Sequence, residues 1–373
     1  MKHPFRIGEE GISSLDLTVT VSSMMIGVGI LTLPKTLARV TMSSDGWISI
    51  LIAGGMAVVC AWILGKLAGL YHGQGDGAFA FTASLVTRPA AWLWTAGLSL
   101  YFLIFCAYEI RAIANISKQY LFERTPVEII ALTFLLVTVY AAAGSRVGLI
   151  RLNTLFLPLV ISISVFVLMF SIPLFHVSDV KPFFITDWRK ILGGAKETVF
   201  SLLGFEVVLF YTAMMSRPQD APRAAAVGAA LPVLLYFVIY IISVGVFSHP
   251  ALKEVTYPAV ELAKEMQVPG EFFERFESIF FTIWIMTIFN TACMALDLAV
   301  LNLGSLFPRV PRHYGLFFLA PVIYLICMFP QNGIEFNRMG TLVNYSGILF
   351  AIVLPCLLYG LAVIKGRKPH EKR

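Results

Sequence analysis

The stretch Ser22-Ser23-Met24-Met25-Ile26-Gly27-Val28-Gly29-Ile30-Leu31-Thr32-Leu33-Pro34 lies in the middle of a long apolar segment near the N-terminus. Gly27, Gly29 and Pro34 are the residue types least suited to a continuous helix. In lipid, a backbone group freed by a break needs a partner from protein or from a water-filled cavity. We therefore expect an unwound segment whose free N–H groups suit a carboxylate and whose free carbonyls suit a cation or an ammonium. A tight packing seam of small residues is the alternative interpretation.

A second glycine interruption occurs five predicted helices further along the chain. The sequence Phe200-Ser201-Leu202-Leu203-Gly204-Phe205-Glu206-Val207 again places a glycine with polar neighbours near the middle of an apolar segment. Interrupted helices at corresponding positions of two halves indicate an inverted-repeat transporter with a binding site near the bilayer midplane. A dinucleotide-binding fingerprint is excluded, because no strand is predicted before Gly27 and the third glycine is missing.

The composition of the whole chain is that of a membrane protein. Of the 373 residues, 58% are hydrophobic and 13% are charged, whereas a soluble chain carries about a quarter charged residues. Apolar runs of roughly 20 residues recur along the chain, and each is long enough to cross a hydrocarbon core of about 30 Å. A transmembrane barrel is excluded, because alternating segments of about ten residues do not occur.

Charged residues, glycine and proline divide the chain into ten predicted spans. The spans cover roughly residues 12–39, 46–70, 90–117, 126–144, 150–175, 190–216, 222–248, 272–303, 313–330 and 337–364. We predict a single transmembrane domain over residues 1–373, with a first repeat of about 12–175 and a second repeat of about 190–364. The connector 249–271 is expected to hold a partial helix at Tyr257–Glu265, which is amphipathic.

The charges indicate topology and not a nucleic-acid surface. The formal net charge of +6 is spread over short connectors, so no nucleic-acid partner is expected. With a cytoplasmic N-terminus, Lys and Arg number about fifteen on the inner side and about ten on the outer side, which predicts that both termini are cytoplasmic. The five cysteines lie inside apolar runs without metal-ligand spacing, so neither a metal nor another cofactor is expected.

Several of these strings resemble a known family. The stretch Ile26–Pro34 resembles the first-helix signature of the amino acid, polyamine and organocation transporter superfamily. Within that superfamily, the chain resembles the B subunits of bacterial spore germinant receptors over essentially its whole length. The closer match draws on Ile12-Ser13-Ser14, Gly148–Asn153 and Gly204–Phe210, with Pro218 and Ala224 beyond them.

The resemblance implies an all-α membrane protein with a LeuT-like fold, in which ten helices form a five-plus-five inverted repeat and helices 1 and 6 are broken. It also implies a ligand held between helices 1, 3, 6 and 8. In such B subunits the ligand is a germinant, typically an amino acid, and the subunit works with a larger A membrane subunit and a lipoprotein C subunit. The expected location is the inner membrane of the spore. The alternative function is an amino acid or polyamine permease that uses the same site for transport.

The predicted ligand-binding residues come from the two breaks and from helices 3 and 8. They are Ile26, Gly27, Val28, Gly29, Phe105, Glu109, Ser201, Gly204, Phe205, Glu206, Asn290 and Thr291. Charged groups inside a membrane are costly, so they are functional hypotheses by default. Glu109 is expected either to line the site or a water pathway, or to bridge to another helix. Glu206 is expected either to bind a ligand ammonium or to cap backbone N–H groups at the second break.

Further charges in the predicted spans include Asp16, Arg111, Lys196, Glu197 and Asp297. At a spacing of two residues, Arg111 points about 200° away from Glu109, so it is expected to snorkel or to bridge. Lys196 and Glu197 are expected at a gate or an interface. Asp297 is expected to brace the eighth helix against the first or to snorkel, and Asp16 has the same two alternatives.

The sequence favours sensing over transport. Proton-coupled relatives can place a lysine in helix 5 near the first break. In this chain, the single cationic residue of Ile150–Phe175 is Arg151, at the start of the helix. A hydroxyl pair for sodium in helix 8 is not evident, because Thr291 has Asn290 and Ala292 as neighbours. An integral membrane enzyme is excluded, because the sequence shows neither a nucleophile with a base nor a metal cluster.

Overall fold

The structure, a computed structural model, describes residues 11–71, 78–265 and 276–366. Within these ranges the chain is helical, and its only pairing of extended backbone is a bridge between Ile12 and Met215. The apolar helices are α1a (Ser14–Met25), α1b (Gly29–Thr41), α2 (Gly46–Leu70), α3 (Arg88–Tyr120), α4 (Val127–Ala143), α5 (Arg146–Ser171), α6a (Trp188–Ser201), α6b (Phe205–Met214), α7 (Ala221–Phe247), α8 (Phe276–Leu306), α9 (Arg312–Met328) and α10 (Gly333–Ile364).

Six of the described helices are long and apolar enough to cross a membrane alone, and the α1 and α6 pairs are two further spans bent at a break. Helices α4 and α9 are apolar and have 17 residues each, which is about 26 Å and the short end of the range for a spanning helix. The described helices thus include six to eight candidate membrane spans, and all ten predicted spans coincide with described helices; that α4 and α9 also cross the membrane stays a prediction. The all-helical membrane fold with broken helices 1 and 6 is confirmed, and residues 272–275 of the eighth predicted span lie outside the described residues.

Local capping sets where two of the helices begin. Ser13 and Asp16 form a capping box at the start of α1a, in which the Ser13 N–H donates to the Asp16 carboxylate at 2.9 Å. Asp16 is therefore a local cap, and its Oδ1 atom also lies 3.4 Å from the Thr154 hydroxyl of α5, which agrees with the bracing alternative. The Ser145 hydroxyl accepts from the N–H of Gly148 at 3.0 Å, so α5 begins at Arg146, ahead of the predicted start near residue 150.

The helices pack in two groups, and most contacts are made between helices of the same group. Helices α1, α2, α6 and α7 form the first group, and helices α3, α4, α8 and α9 form the second group. Helix α5 contacts α1a and α8, while α10 contacts α2, α3 and α6a. The broken helices belong to the first group, and α3 and α8 of the second group face them. The repeat boundaries given above stay a prediction.

Thr41 and Trp188 lie at one end of the molecule, called the distal end here. At this end, one buried carboxylate joins the turn after α1b to the loop before α6a. Asp45, between α1b and α2, accepts hydrogen bonds from the N–H groups of Phe184 at 2.7 Å, Ile185 at 2.9 Å and Thr186 at 3.0 Å. Burial alone would raise the pKa of Asp45, but these donors and the Thr186 hydroxyl outweigh it and hold the pKa below the usual 3.8. The loop before α6a is thereby fixed to the end of α1b.

The connector between α7 and α8 contains the predicted partial helix, at Pro258–Glu265. Its apolar residues are buried, and it packs against α1b and α8. The amphipathic pattern of the sequence therefore predicted this element correctly.

Candidate functional site

The first break lies at Ile26–Val28, where α1a and α1b meet at an angle of 51°. The three residues are buried. The carbonyl of Met25, freed at the end of α1a, accepts a hydrogen bond of 2.8 Å from the Tyr236 hydroxyl of α7. Pro34 is not part of the break, because it lies inside α1b. The glycine pair, and not the proline, unwinds this helix.

The second break lies at Leu202–Gly204, where α6a and α6b meet at 48°. Gly204 has a φ of +124°, which only glycine adopts readily. Its N–H donates to Oε2 of Glu206 at 2.8 Å, and the Tyr101 hydroxyl of α3 donates to Oε1 of Glu206 at 2.7 Å. Both oxygens of this fully buried carboxylate thus have a partner. Of the two alternatives for Glu206, this geometry is the one in which the carboxylate caps a backbone N–H group at the second break.

The two breaks touch each other, and glycine makes the contact possible. A Cβ atom added to Gly29 would lie 2.7 Å from Cα of Ser201, and one added to Gly204 would lie 2.8 Å from the carbonyl carbon of Met24. Real Cβ atoms do not approach other atoms this closely. The residues predicted from the two breaks therefore come together in one place, as an inverted pair of interrupted helices requires.

Glu109 of α3 is the charged group next to the first break. It is 2% exposed, it faces the backbone of Val28, and its Oε1 atom lies 3.0 Å from the position that a Cβ atom of Gly27 would take. Its Oε2 atom has no hydrogen-bond partner among the described residues. Arg111 points away to α9, where its Nη1 atom lies 3.5 Å from the carbonyl of Cys327, so the bridging prediction for Arg111 is confirmed.

Helix α8 brings polar groups to the level of Glu109. Helices α3 and α8 run antiparallel, since Ser99 donates to the carbonyl of Ala299 at 2.8 Å and Cys106 to that of Ala292 at 3.4 Å. This register brings Glu109 to the level of residues 287–291. Thr291 Oγ1 lies 3.5 Å from the carbonyl of Ser23 in α1a. Asn290 Nδ2 and Thr287 Oγ1 are buried and lack partners within the described part of the chain.

Asn153 of α5 is a site neighbour that the sequence analysis missed. Its Oδ1 atom accepts from the Ser23 hydroxyl at 2.7 Å, and its Nδ2 atom lies 3.3 Å from the sulfur of Met294. It therefore joins α1a to α8 through α5. Its sequence signal is a lone asparagine within an apolar span.

A cavity of about 610 Å³ reaches the first break from the distal end. Val28 and Ser201 lie at its inner end. Tyr108 of α3, stacked on Phe336 of α10 at 4.8 Å and in edge contact with Phe200 of α6a at 5.5 Å, also lines it. Charged residues lining the cavity are Lys35, Arg39, Lys196 and Glu197. Lys196 and Glu197 thus line the cavity, and their role as gate or interface charges stays a prediction.

Of the predicted site residues, Val28 and Ser201 line the cavity, and the others, Glu109 among them, do not. Phe105 is buried and stacks on Tyr101 with ring centres 6.0 Å apart, and Phe205 and Gly204 lie in the buried core of the second break. Their contribution to a site is the shape of the break and not direct exposure to the cavity.

Asp297 of α8 lies toward the opposite end, where α1a begins and α6b ends, called the proximal end here. It is fully buried, and it pairs with Arg312 at 2.8 Å and with Arg146 at 3.2 Å. The Tyr211 hydroxyl of α6b lies 3.4 Å from it. The expectation that Asp297 braces α8 against α1 or snorkels was wrong, because two arginines at the starts of α5 and α9 supply its partners.

Comparisons with known proteins agree with this architecture. A family model described as "Spore germination protein" matches residues 11–335. Spore germination protein GerLB of Bacillus cereus is 37% identical over 366 residues, covering 98% of this chain and 97% of its own length. Spore germination protein YndE of Bacillus subtilis is 29% identical, covering 97% and 98% of the two chains.

Two solved structures share the fold. The crystal structure of MhsT in complex with L-phenylalanine superposes with a TM-score of 0.72 at 18% identity, covering 97% of this chain and 91% of MhsT. MHP1, a nucleobase-cation-symport-1 family transporter with bound bromovinylhydantoin, gives a TM-score of 0.64 at 16% identity, covering 98% and 81%. At these identities the likeness shows the fold, which is the LeuT-like arrangement predicted from the sequence.

Proposed function

This chain belongs to the spore germination protein family, and from that premise we propose that it is the ligand-sensing membrane subunit of a spore germinant receptor. It binds a small amino acid-like germinant at the break of α1. The observation that carries the proposal is the buried carboxylate of Glu109, which lies against Gly27 and has an oxygen without a described partner. A buried carboxylate oxygen that lacks a partner is costly, so a ligand ammonium that pairs with this oxygen gains affinity.

The break can hold both charged groups of an amino acid. The ammonium pairs with Glu109 and with backbone carbonyls of the unwound segment. The carboxylate lies at the N-terminus of α1b, which begins at Gly29, because the first N–H groups of a helix are unpaired and carry partial positive charge. The amide of Asn290 and the hydroxyls of Thr287 and Thr291 face the side of the ligand that lies against α8.

The cavity supports entry of such a ligand. Three of its four charged lining residues are cationic, namely Lys35, Arg39 and Lys196, and these cations attract the carboxylate of the ligand. The Tyr108–Phe336–Phe200 cluster lines the same cavity and closes over the ligand. MhsT, which has the same fold, binds L-phenylalanine, and this supports an amino acid as the class of ligand.

Binding triggers germination by changing how the two helix groups pack. A ligand shifts a conformational equilibrium only through different affinities for the two states, and this site spans both groups, since Gly27 belongs to the first and Glu109 to the second. The change passes to A and C subunits of a receptor complex in the spore inner membrane, where both termini are cytoplasmic. The basic residues 367–373, on which this orientation mainly rests, lie outside the described residues.

A permease is the second candidate, and the transporter fold of MHP1 favours it. The full-length protein, purified into liposomes, is incubated with each standard amino acid in radiolabelled form. Saturable binding without uptake supports sensing, whereas uptake that scales with time establishes transport.

Gly27→Leu should abolish binding because the added side chain fills the space beside Glu109. Gly55→Leu is the matched control, since no described atom lies within 4 Å of a Cβ atom there. Equal ligand binding by both variants would show that the ligand does not bind at the first break.

A further inference from the structure

Helix α7 is bonded to α1a in a fixed register. Three hydroxyls of α1a, spaced four residues apart, meet three residues at the start of α7 that have the same spacing: Ser14 meets Asp220, Thr18 meets Ala224 and Ser22 meets Gly228. The three oxygen–oxygen distances are 3.3, 3.2 and 2.7 Å in that order. A Cβ atom added to Gly228 would lie 2.7 Å from the carbonyl oxygen of Thr18, so the two backbones are also in close contact. This set of contacts, called the α1a–α7 seam here, prevents the two helices from sliding past each other.

The seam brings one tyrosine of α7 to the first break. Tyr236 lies eight residues beyond Gly228, which is about 12 Å along the helix, and Met25 lies three residues beyond Ser22, which is about 4.5 Å. Helical side chains point back toward the N-terminus of their helix, so the ring of Tyr236 spans the remaining distance. Its hydroxyl donates to the carbonyl of Met25 at 2.8 Å. The register of the two helices therefore decides which carbonyl of the break receives this hydrogen bond.

Tyr236 shares its surroundings with Glu109. The tyrosine is 1% exposed, and Glu109 is close enough to act on it electrostatically. Glu109 itself accepts a hydrogen bond from the backbone of Val28, three residues after Met25. The unwound segment is thus held at its start by α7 through Tyr236 and at its end by α3 through Glu109. The peptide groups between these two bonds are held in one orientation.

We propose that Tyr236 is a positioning residue for ligand recognition at the first break. Its hydroxyl occupies the carbonyl of Met25, so the ligand ammonium pairs with Glu109 and with the carbonyls that follow Met25. Groups that are already oriented bind a ligand without the entropic cost of ordering them. This inference rests on the proposed function, because it requires a ligand that carries an ammonium group.

A purely structural role of Tyr236 is the alternative, and Tyr240 provides the comparison. Tyr240 lies one turn further along α7 and is fully buried, and its hydroxyl lies 3.3 Å from the carbonyl of Ser44 at the distal end. Tyr236→Phe and Tyr240→Phe therefore remove the same group from the same helix, and each takes one hydrogen-bond donor from a backbone carbonyl. Only the carbonyl of Met25 belongs to the break.

The test uses the full-length protein in neutral detergent and the standard L-amino acids as probes. The amino acid that binds most tightly is compared by calorimetry with its deaminated acid, as L-alanine would be with propionate. We expect Tyr236→Phe to lower the preference for the amino acid about tenfold, the effect of one hydrogen bond, with little change in the affinity for the deaminated acid. Tyr240→Phe should keep the wild-type preference, and the thermal unfolding midpoints of the two variants should be similar.

An undiminished preference in Tyr236→Phe would overturn this inference and leave the proposed function in place. An equal loss of affinity for both probes would do the same, because it is the result of a purely structural role. Tighter binding of the amino acid by Tyr236→Phe would also overturn it, since the carbonyl of Met25 would then be a ligand contact that the tyrosine blocks. A wild-type protein that binds none of the standard amino acids would instead remove the proposed function, and this inference with it.

Discussion

The two breaks carry the same sequence signal, a mid-span glycine that ends up near an acidic residue, yet the two carboxylates are left in opposite states. At the second break, Glu206 accepts from the N–H of Gly204 and from the Tyr101 hydroxyl. At the first break, Glu109 comes from another helix and keeps one oxygen without a described partner. A carboxylate two residues from its glycine pairs with the backbone N–H that the break frees, whereas a carboxylate from a facing helix keeps an oxygen that a ligand can use.

The largest effect is expected at the second break. Gly204→Ala places a Cβ atom 2.8 Å from the backbone of Met24 at a φ of +124°, and backbone of α1a cannot give way as a side chain can. We expect a loss of about 3 kcal/mol or more in the free energy of unfolding, measured by thermal unfolding in detergent. Gly55→Ala, in an open helical position, should be neutral or stabilising by up to about 1 kcal/mol; equal effects would contradict the account of the break.

The cap itself gives the next effect. Glu206→Gln keeps the shape of the side chain but removes the charge that holds the Gly204 N–H and the Tyr101 hydroxyl. We expect a destabilisation of about 1–3 kcal/mol, read from chemical unfolding, with ligand binding by the folded protein close to that of the wild type. Loss of binding without loss of stability would mean that Glu206 contacts the ligand.

A third carboxylate, Asp45, extends the comparison outside the membrane. Its pKa lies below 3.8 because backbone N–H donors outweigh burial. An acid whose pKa is lower in the folded state than in the unfolded state stabilises folding fully at pH values above its unfolded pKa. This stabilisation is lost as the pH falls through the folded pKa. We expect Asp45→Asn to cost about 1–2 kcal/mol at neutral pH, and the difference from the wild type to shrink below pH 3.8. A difference that does not change with pH would show that the charge of Asp45 is not what matters.

The smallest effect on stability is expected at Gly27. A Cβ atom there would meet the flexible end of Glu109 at 3.0 Å, so Gly27→Ala should cost less than about 1 kcal/mol. Germinant affinity should fall all the same, because the displaced carboxylate no longer faces the break. Thermal unfolding and equilibrium binding on the same preparation separate the two readouts, and a large loss of stability with unchanged affinity would make Gly27 a packing residue.

The sequence predicted the helices and the breaks because apolar length and glycine position are local properties. Pro258–Glu265 and the contact of the two breaks followed from the same reasoning. The state of each carboxylate could not be predicted, since it depends on which side chain of another helix arrives nearby. Tyr101 reaches Glu206 across 105 positions of the chain, and Arg146 reaches Asp297 across 151 positions. Asn153 was missed for the same reason.

The pairing of Glu109 with the ligand ammonium is tested most directly by a double-mutant cycle between the two groups. Once the binding amino acid has been found, its affinity and that of its deaminated analogue are measured by calorimetry on the full-length wild-type protein and on Glu109→Gln. We expect the wild type to prefer the amino acid by about tenfold or more, and Glu109→Gln to lose this preference while remaining as stable as the wild type. An undiminished preference in Glu109→Gln would contradict the assignment of the first break as the ligand site.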